Sequence, residues 1–209
     1  MSKTECLIQD VMPLQILRRE RIVVEDSNGG KLPILKIGGQ FQKAGVPNSN
    51  GRIYPRNVLE EAVDSIQEDL KKRSILGEFD HPADAKIHLD RVSHLITKLW
   101  MEKDGTVYGE AEVLEKTHFG SQLKALIEHK IPVAISSRGV GDMETTIYEG
   151  EEYYSVLPGF SLVTFDIVGT PSVKGSIMSV MEGKQINNRK DAKKQREQEI
   201  LKAIKSILK

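Results

Sequence analysis

The sequence predicts an α+β fold: a mostly antiparallel β-barrel, closed or nearly closed, surrounded by helices. Three observations predict it. Short apolar or β-branched runs recur at 22–25, 32–37, 92–101, 106–113, 131–136 and 159–168, each of strand length. Glycine-rich turn signals join two pairs of neighbouring runs, as in antiparallel hairpins. Ahead of the C-terminal tail, only 56–70 and 120–130 carry apolar residues at helical spacing, so helices interrupt a β framework.

Arg21-Ile-Val-Val-Glu25 and Leu32-Pro-Ile-Leu-Lys-Ile37 flank Asp26-Ser27-Asn28-Gly29-Gly30, where asparagine and glycine supply positive φ for a hairpin turn. Val46-Pro47-Asn48-Ser49-Asn50-Gly51 reads as loop. Tyr54-Pro55-Arg56-Asn57 then opens a helix in which Val58, Leu59, Ala62, Val63, Ile66 and Leu70 share one face. Pro55 suits its first turn, where a missing N–H costs little. Strands are expected at 92–101 and 106–113, joined across Lys103-Asp104-Gly105. A second helix covers 120–130, with Leu123, Leu126 and Ile127 on one side. A strand follows at 131–136, one or two more within 145–156, and a last one at 159–168, β-branched and aromatic over 162–168.

The chain has 209 residues, enough for one sizeable domain. Thirty basic residues balance thirty acidic ones, so no overall field favours nucleic acid or a membrane surface. One cysteine, Cys6, excludes an internal disulfide framework and thiolate zinc clusters, and fits a reducing interior. No signal-peptide run or stretch of about 18 apolar residues occurs; a soluble, cytoplasmic protein is expected, unless it is packaged inside something larger. Composition shifts near residue 183. Residues 184–209 hold nine basic and three acidic side chains, and Ile200, Leu201, Ile204, Ile207 and Leu208 make a short amphipathic stripe. We therefore divide the chain into a domain over 1–183 and a basic tail over 184–209, read either as solvated chain or as a docking helix for an acidic partner.

Two stretches carry candidate chemistry. In Leu76-Gly77-Glu78-Phe79-Asp80-His81-Pro82 the proline biases His81 toward an extended backbone. In Val133-Ala134-Ile135-Ser136-Ser137-Arg138-Gly139-Val140-Gly141 an apolar strand runs into two hydroxyls, an arginine and glycines. A strand end feeding a glycine turn would hold a nucleophilic Oγ rigidly and expose the N–H groups of Arg138 and Gly139 to an oxyanion. Alternation selects Ser136 over Ser137: if Ile135 faces the core, Ser137 shares its side and Ser136 faces outward. Asp166, inside the β-prone Leu162–Val168 run, is costly there unless paired. It either orients an imidazole or caps the turn before Gly169 and Pro171.

Asp80, His81, Asp84, His88, Asp90 and His94 crowd together. They lack the helical His spacing of a zinc hydrolase, and no metal or other cofactor is expected. Trp100 reads as packing rather than as a base-stacking platform.

Asn48-x-Asn50-x-Arg52-x-Tyr54-Pro55, Leu76-Gly-Glu-x-x-His81-Pro82, Ser136-Ser-Arg-Gly139-x-Gly141 and Asp166-x-Val168-x-x-Pro171-Ser172 occur in this order over roughly 34–175. Together they resemble the prohead core protein proteases of T-even-type tailed phages. The resemblance implies a fold similar to the herpesvirus maturation protease (assemblin), with Ser136 as nucleophile and His81 as general base. The herpesvirus enzymes use a second histidine downstream of the serine; no histidine follows His129 here, and Asp166 is the substitute, with Glu78 and Asp80 as rivals. The resemblance also implies cleavage of scaffold or core and major capsid precursors after glutamate in Leu/Ile-x-Glu contexts, self-cleavage, a homo-oligomer, and a location inside the assembling prohead in the host cytoplasm. Leu59-Glu60-Glu61, Leu76-Gly77-Glu78 and Leu126-Ile127-Glu128 fit such contexts.

Overall fold

The computed structural model describes residues 6–14, 16–25 and 28–169. Among these described residues, eleven strands and three α-helices follow in the order β1 (Cys6–Pro13), β2 (Ile16–Glu25), β3 (Lys31–Lys43), β4 (Arg52–Ile53), α1 (Arg56–Ser65), α2 (Gln67–Lys71), β5 (Leu76–Glu78), β6 (Val92–Met101), β7 (Thr106–Val113), α3 (His118–Glu128), β8 (Val133–Gly141), β9 (Met143–Tyr148), β10 (Glu151–Val156) and β11 (Ser161–Gly169). The fold is α+β, and every strand pair is antiparallel except β4 with β10.

The expected hairpin is β2–β3, its register running from Glu25↔Lys31 through Ile22↔Ile34, with Gly29 at φ 75° in the turn. Strands β6 and β7 match the expected 92–101 and 106–113, and Gly105 takes φ 81° between them. The helix expected over 56–70 is broken at Ile66 into α1 and α2, yet Val58, Leu59, Ala62, Val63, Ile66 and Leu70 are all buried. Thr117 caps α3, its hydroxyl accepting from Gly120 N at 3.0 Å. Trp100 packs at the surface, stacked on Tyr108 with ring centroids 5.9 Å apart.

The expected barrel is corrected. The strands form three sheets, ordered β1-β8-β11, β4-β10-β9 and β2-β3-β7-β6-β5, and no closed ring exists among the described residues. The five-stranded sheet stops at β5, three residues long and bulged between Gly77 and Glu78. A bulge ends pairing and bends the strand; here Phe79 crosses to a parallel bridge with Ile167 of β11. That crossing carries the 79–82 segment onto the three-stranded sheet. The boundary near 183 and the amphipathic stripe at 200–208 lie outside the described residues.

Candidate active site

Strand β8 lies between β1 and β11, with Ser136 directly opposite Val11 on one side and Asp166 on the other. Directly opposed residues of an antiparallel pair share a face, with Cβ atoms about 5 Å apart, so Ser136 and Asp166 project side by side. The chain leaving β5 reaches this face. Asp80 N donates to Ile167 O at 2.7 Å, and Asp80 adopts φ 70°, a left-handed turn that aspartate tolerates. His81 is thereby laid over the sheet. Pro82 is buried behind it, and its carbonyl accepts from Gln9 Nε2 of β1 at 3.0 Å.

The His81 ring joins the two strands. Its Nδ1 lies 2.9 Å from Asp166 Oδ2 and its Nε2 2.5 Å from Ser136 Oγ. An ionised carboxylate only accepts, so Nδ1 carries the proton and Nε2 presents its lone pair to the hydroxyl. Asp166 also accepts from Glu78 N at 2.9 Å and from Arg138, Nε at 2.8 Å and Nη2 at 3.2 Å. Burial pushes its pKa up; the His81 bond, the Arg138 charge and the Glu78 N–H outweigh burial and hold it below the ordinary value.

Sequence reasoning named Arg138 for its backbone N–H and missed its side chain. Its side chain is fully buried and lies on the Ser136 face, two positions along β8. Besides Asp166 it binds Glu78 Oε1 at 2.9 Å and the carbonyls of Lys86 at 2.5 Å and Asp84 at 3.2 Å. It therefore ties the segment after His81 to the strand of Ser136. The available signal was an arginine in an otherwise strand-like run, which burial obliges to find partners.

The strand end expected after Ser136 is a second correction. Strand β8 continues to Gly141, and Arg138 and Gly139 sit mid-strand, opposite Gln9 and Ile8 on one side and Thr164 and Leu162 on the other. Gly139 serves close packing rather than a turn, since a Cβ there would meet Phe160 Cζ at 2.4 Å. The β11 ladder does skip a residue between Leu162 and Thr164, beside both. Alternation separated the two serines correctly, but neither faces solvent: Ser136 is 0% and Ser137 2% exposed. Ser137 Oγ points to the other face and accepts from Gln42 Nε2 at 3.2 Å.

The rivals of Asp166 lie elsewhere. Asp80 is exposed, and Glu78 contacts Arg138, with its Oε1 also accepting from His88 N at 2.9 Å. His94 is fully buried, Nε2 donating to Phe165 O at 2.9 Å and Nδ1 accepting from Ser93 Oγ at 2.8 Å. Burial pushes its pKa down to about 4. Among the described residues no three His, Cys, Asp or Glu side chains are grouped to share a metal ion. Nor is any helix among them long and apolar enough to cross a membrane.

The Asn48–Tyr54 motif works on the reverse face. Asp10 of β1, 0% exposed, accepts from Asn50 Nδ2 at 2.9 Å, Arg52 Nη1 at 2.8 Å and the Tyr54 hydroxyl. Asn50 and Arg52 also donate to Gln9 O at 2.8 and 2.9 Å, and Ser49 Oγ to Val11 O at 3.3 Å. The loop thus holds β1 against the Ser136 strand.

The family model of the prohead core protein serine proteases matches residues 6–190. The chain belongs to that family. The prohead core protein protease of enterobacteria phage T4 is 39% identical over 146 residues, 68% of this chain and 67% of the relative. The solved structure of the bacteriophage T4 capsid assembly protease superposes with a TM-score of 0.69 at 31% identity, covering 79% of this chain and 99% of that one. The chain is accordingly a protease, and its chemistry is peptide-bond hydrolysis.

Proposed function

We propose that the protein is a serine endopeptidase of phage capsid maturation, with Ser136 as nucleophile, His81 as general base and Asp166 as its orienting acid. The observation that carries the reading is the continuous relay from Ser136 Oγ through both His81 nitrogens to Asp166. In that relay His81 Nε2 takes the hydroxyl proton as Oγ attacks a scissile carbonyl, and Asp166 stabilises the imidazolium that forms. The expected oxyanion donors are the N–H groups of Arg138 and Gly139; successive N–H groups leave a strand on opposite edges, so we assign to the oxyanion the one of the two directed at the interrupted β11 ladder. Protonated His81 then supplies its proton to the leaving amine, and water deacylates Ser136 by the reverse path.

The substrates we assign are phage core, scaffold and capsid precursors, cut after glutamate in Leu/Ile-x-Glu contexts, and the enzyme itself, within the prohead. The assemblin-like architecture and a homo-oligomeric state belong to the same reading. Of the chain's own Leu/Ile-x-Glu sites, Glu61 lies in α1, Glu68 in α2, Glu78 is fully buried and Glu128 ends α3, so folded enzyme resists cleavage there, whereas Glu149 is exposed in the turn between β9 and β10.

A serine-reactive phosphonate tests the reading. Modification is expected at Ser136 alone, and slow self-digestion at these glutamates disappears in Ser136→Ala. Intact, unmodified protein would instead identify a non-catalytic core component, and fragments that persist in Ser136→Ala would come from a contaminating protease.

A further inference from the structure

We propose that Glu78 is a positioning residue for this reaction: it offsets the charge of Arg138, so that the three fully buried ionic groups behind His81 keep an excess negative charge that favours protonated His81. The inference rests on the serine-protease reading for its kinetic consequence.

Three ionic side chains with no solvent exposure meet behind the His81–Ser136 pair. Arg138 Nε lies 2.8 Å from Asp166 Oδ2, and Arg138 Nη2 lies 2.9 Å from Glu78 Oε1. An arginine bonded to the carboxylate that must stabilise an imidazolium works against that purpose, since the guanidinium already neutralises it. With Glu78 present, two carboxylates face one guanidinium and one negative charge remains. Where water is excluded such a charge is felt strongly by its neighbours. The group in contact that gains a proton during the reaction is His81, whose side chain is 15% exposed and bonded to Asp166. Its protonation closes the balance.

The count is of the three fully buried side chains; other charged or titratable groups face the cluster from its rim. Arg91 Nε lies 3.6 Å from Glu78 Oε2, and His88 Nδ1 lies 3.5 Å from Glu78 Oε1. Arg91, 30% exposed, is a partly solvated counter-ion that weakens the excess charge without cancelling it, and the His88 nitrogen facing Glu78 is buried; Asp84 beyond His88 and Asp80 beside His81 are exposed, so solvent screens those two. His94, packed behind Asp166 from β6, is held neutral by burial, with its pKa near 4. Glu78 Oε2 is buried without a hydrogen-bond donor of its own, so that oxygen's charge is not taken up by a local hydrogen bond. The Glu78 backbone adds geometry, because its N–H binds Asp166 at 2.9 Å.

Glu78→Gln separates charge from shape. The amide oxygen still accepts from Arg138 and from His88 N, and only the charge is lost. Removing one negative charge disfavours the imidazolium. The acid limb of kcat/KM is therefore expected to move to lower pH by about one unit, and the plateau to fall about ten-fold. A fall of the plateau with an unmoved midpoint would mean a structural role and overturn the proposal.

The double variant Glu78→Gln/Arg138→Met removes one charge of each sign, so its midpoint is expected to return toward the parent's. A displacement as large as that of Glu78→Gln would overturn the proposal, and this arm decides the question if Glu78→Gln alone fails to fold. The His81 ring titration, followed by NMR in a Ser136→Ala background with and without Glu78→Gln, needs no activity. It is expected to show the same shift, and equal midpoints would overturn the charge argument. Should Ser136 resist the phosphonate while the NMR shift is present, the protease reading fails and the charge coupling stands.

Discussion

Adding one methyl group at Gly77 should disable the site without touching any of its polar residues. A Cβ there would lie 2.1 Å from His94 Nε2 and 2.4 Å from Phe165 O, against the 3.0 Å floor that real Cβ contacts respect. The shortfall is about 0.9 Å for the ring and about 0.6 Å for the carbonyl. The ring is boxed in by Ser93 and Phe165, and the carbonyl belongs to β11, so β5 itself has to retreat. Glu78 and His81 follow Gly77 within four positions on the same segment. A misplacement approaching 1 Å at a reacting group costs on the order of 100-fold, and overpacking a close contact costs about 1–3 kcal/mol. Gly77→Ala is therefore expected to slow phosphonate labelling of Ser136 about 100-fold. At about 2–4 °C per kcal/mol for a chain of this size, it should also lower Tm by between about 2 and 12 °C. Labelling at the parental rate with an unchanged melt would show that β5 does not set the position of His81.

Asp10→Ala leaves Asn50, Arg52 and Tyr54 aimed at an empty buried site; unpairing a buried ion pair costs about 3–5 kcal/mol, and hydrogen exchange in β1 should rise with the loss of Tm. An unchanged β1 exchange rate would mean that the loop does not hold the strand. His94 gives a pH signature. Its folded pKa, about 4, lies below the ordinary 6.5, so the unfolded chain binds the proton first. Its contribution is complete above about pH 6.5 and is lost as pH falls toward 4, for a total of about 3 kcal/mol. Urea midpoints at pH 7 and 4.5 should differ less in His94→Gln than in the parent, and equal pH slopes would refute the assignment.

Residues whose environment is local were legible in the sequence. The apolar face of 56–70 and the hairpin around Gly105 follow from spacing and turn chemistry alone, and both lie where spacing puts them. The convergence of His81, Ser136 and Asp166 was expected from motif order and not from distance: nothing within the three motifs states that Ser136 and Asp166 are opposed across a register. Strand β1 was not legible, because Asp10 breaks its pattern and is satisfied only by side chains some forty positions later. Strand β8 looked finished at Ser136 for the same reason. Its polar run is buried on both faces, and the partners that permit this come from 78–86 and from Gln42. Closure of a sheet depends on whether outer strands meet, which the residue pattern of each strand does not encode; the Gly77–Glu78 bulge decides it here.

An outer strand normally offers its unpaired backbone to any extended chain that comes alongside. On β1 that invitation is withdrawn, since the Gln9 and Val11 carbonyls are already occupied by Asn50, Arg52 and Ser49. The sheet bearing Ser136 therefore cannot grow by recruiting a neighbour's strand on this flank without first tearing away three side-chain contacts. Two molecules crowded together are kept from zipping edge to edge beside their own nucleophiles.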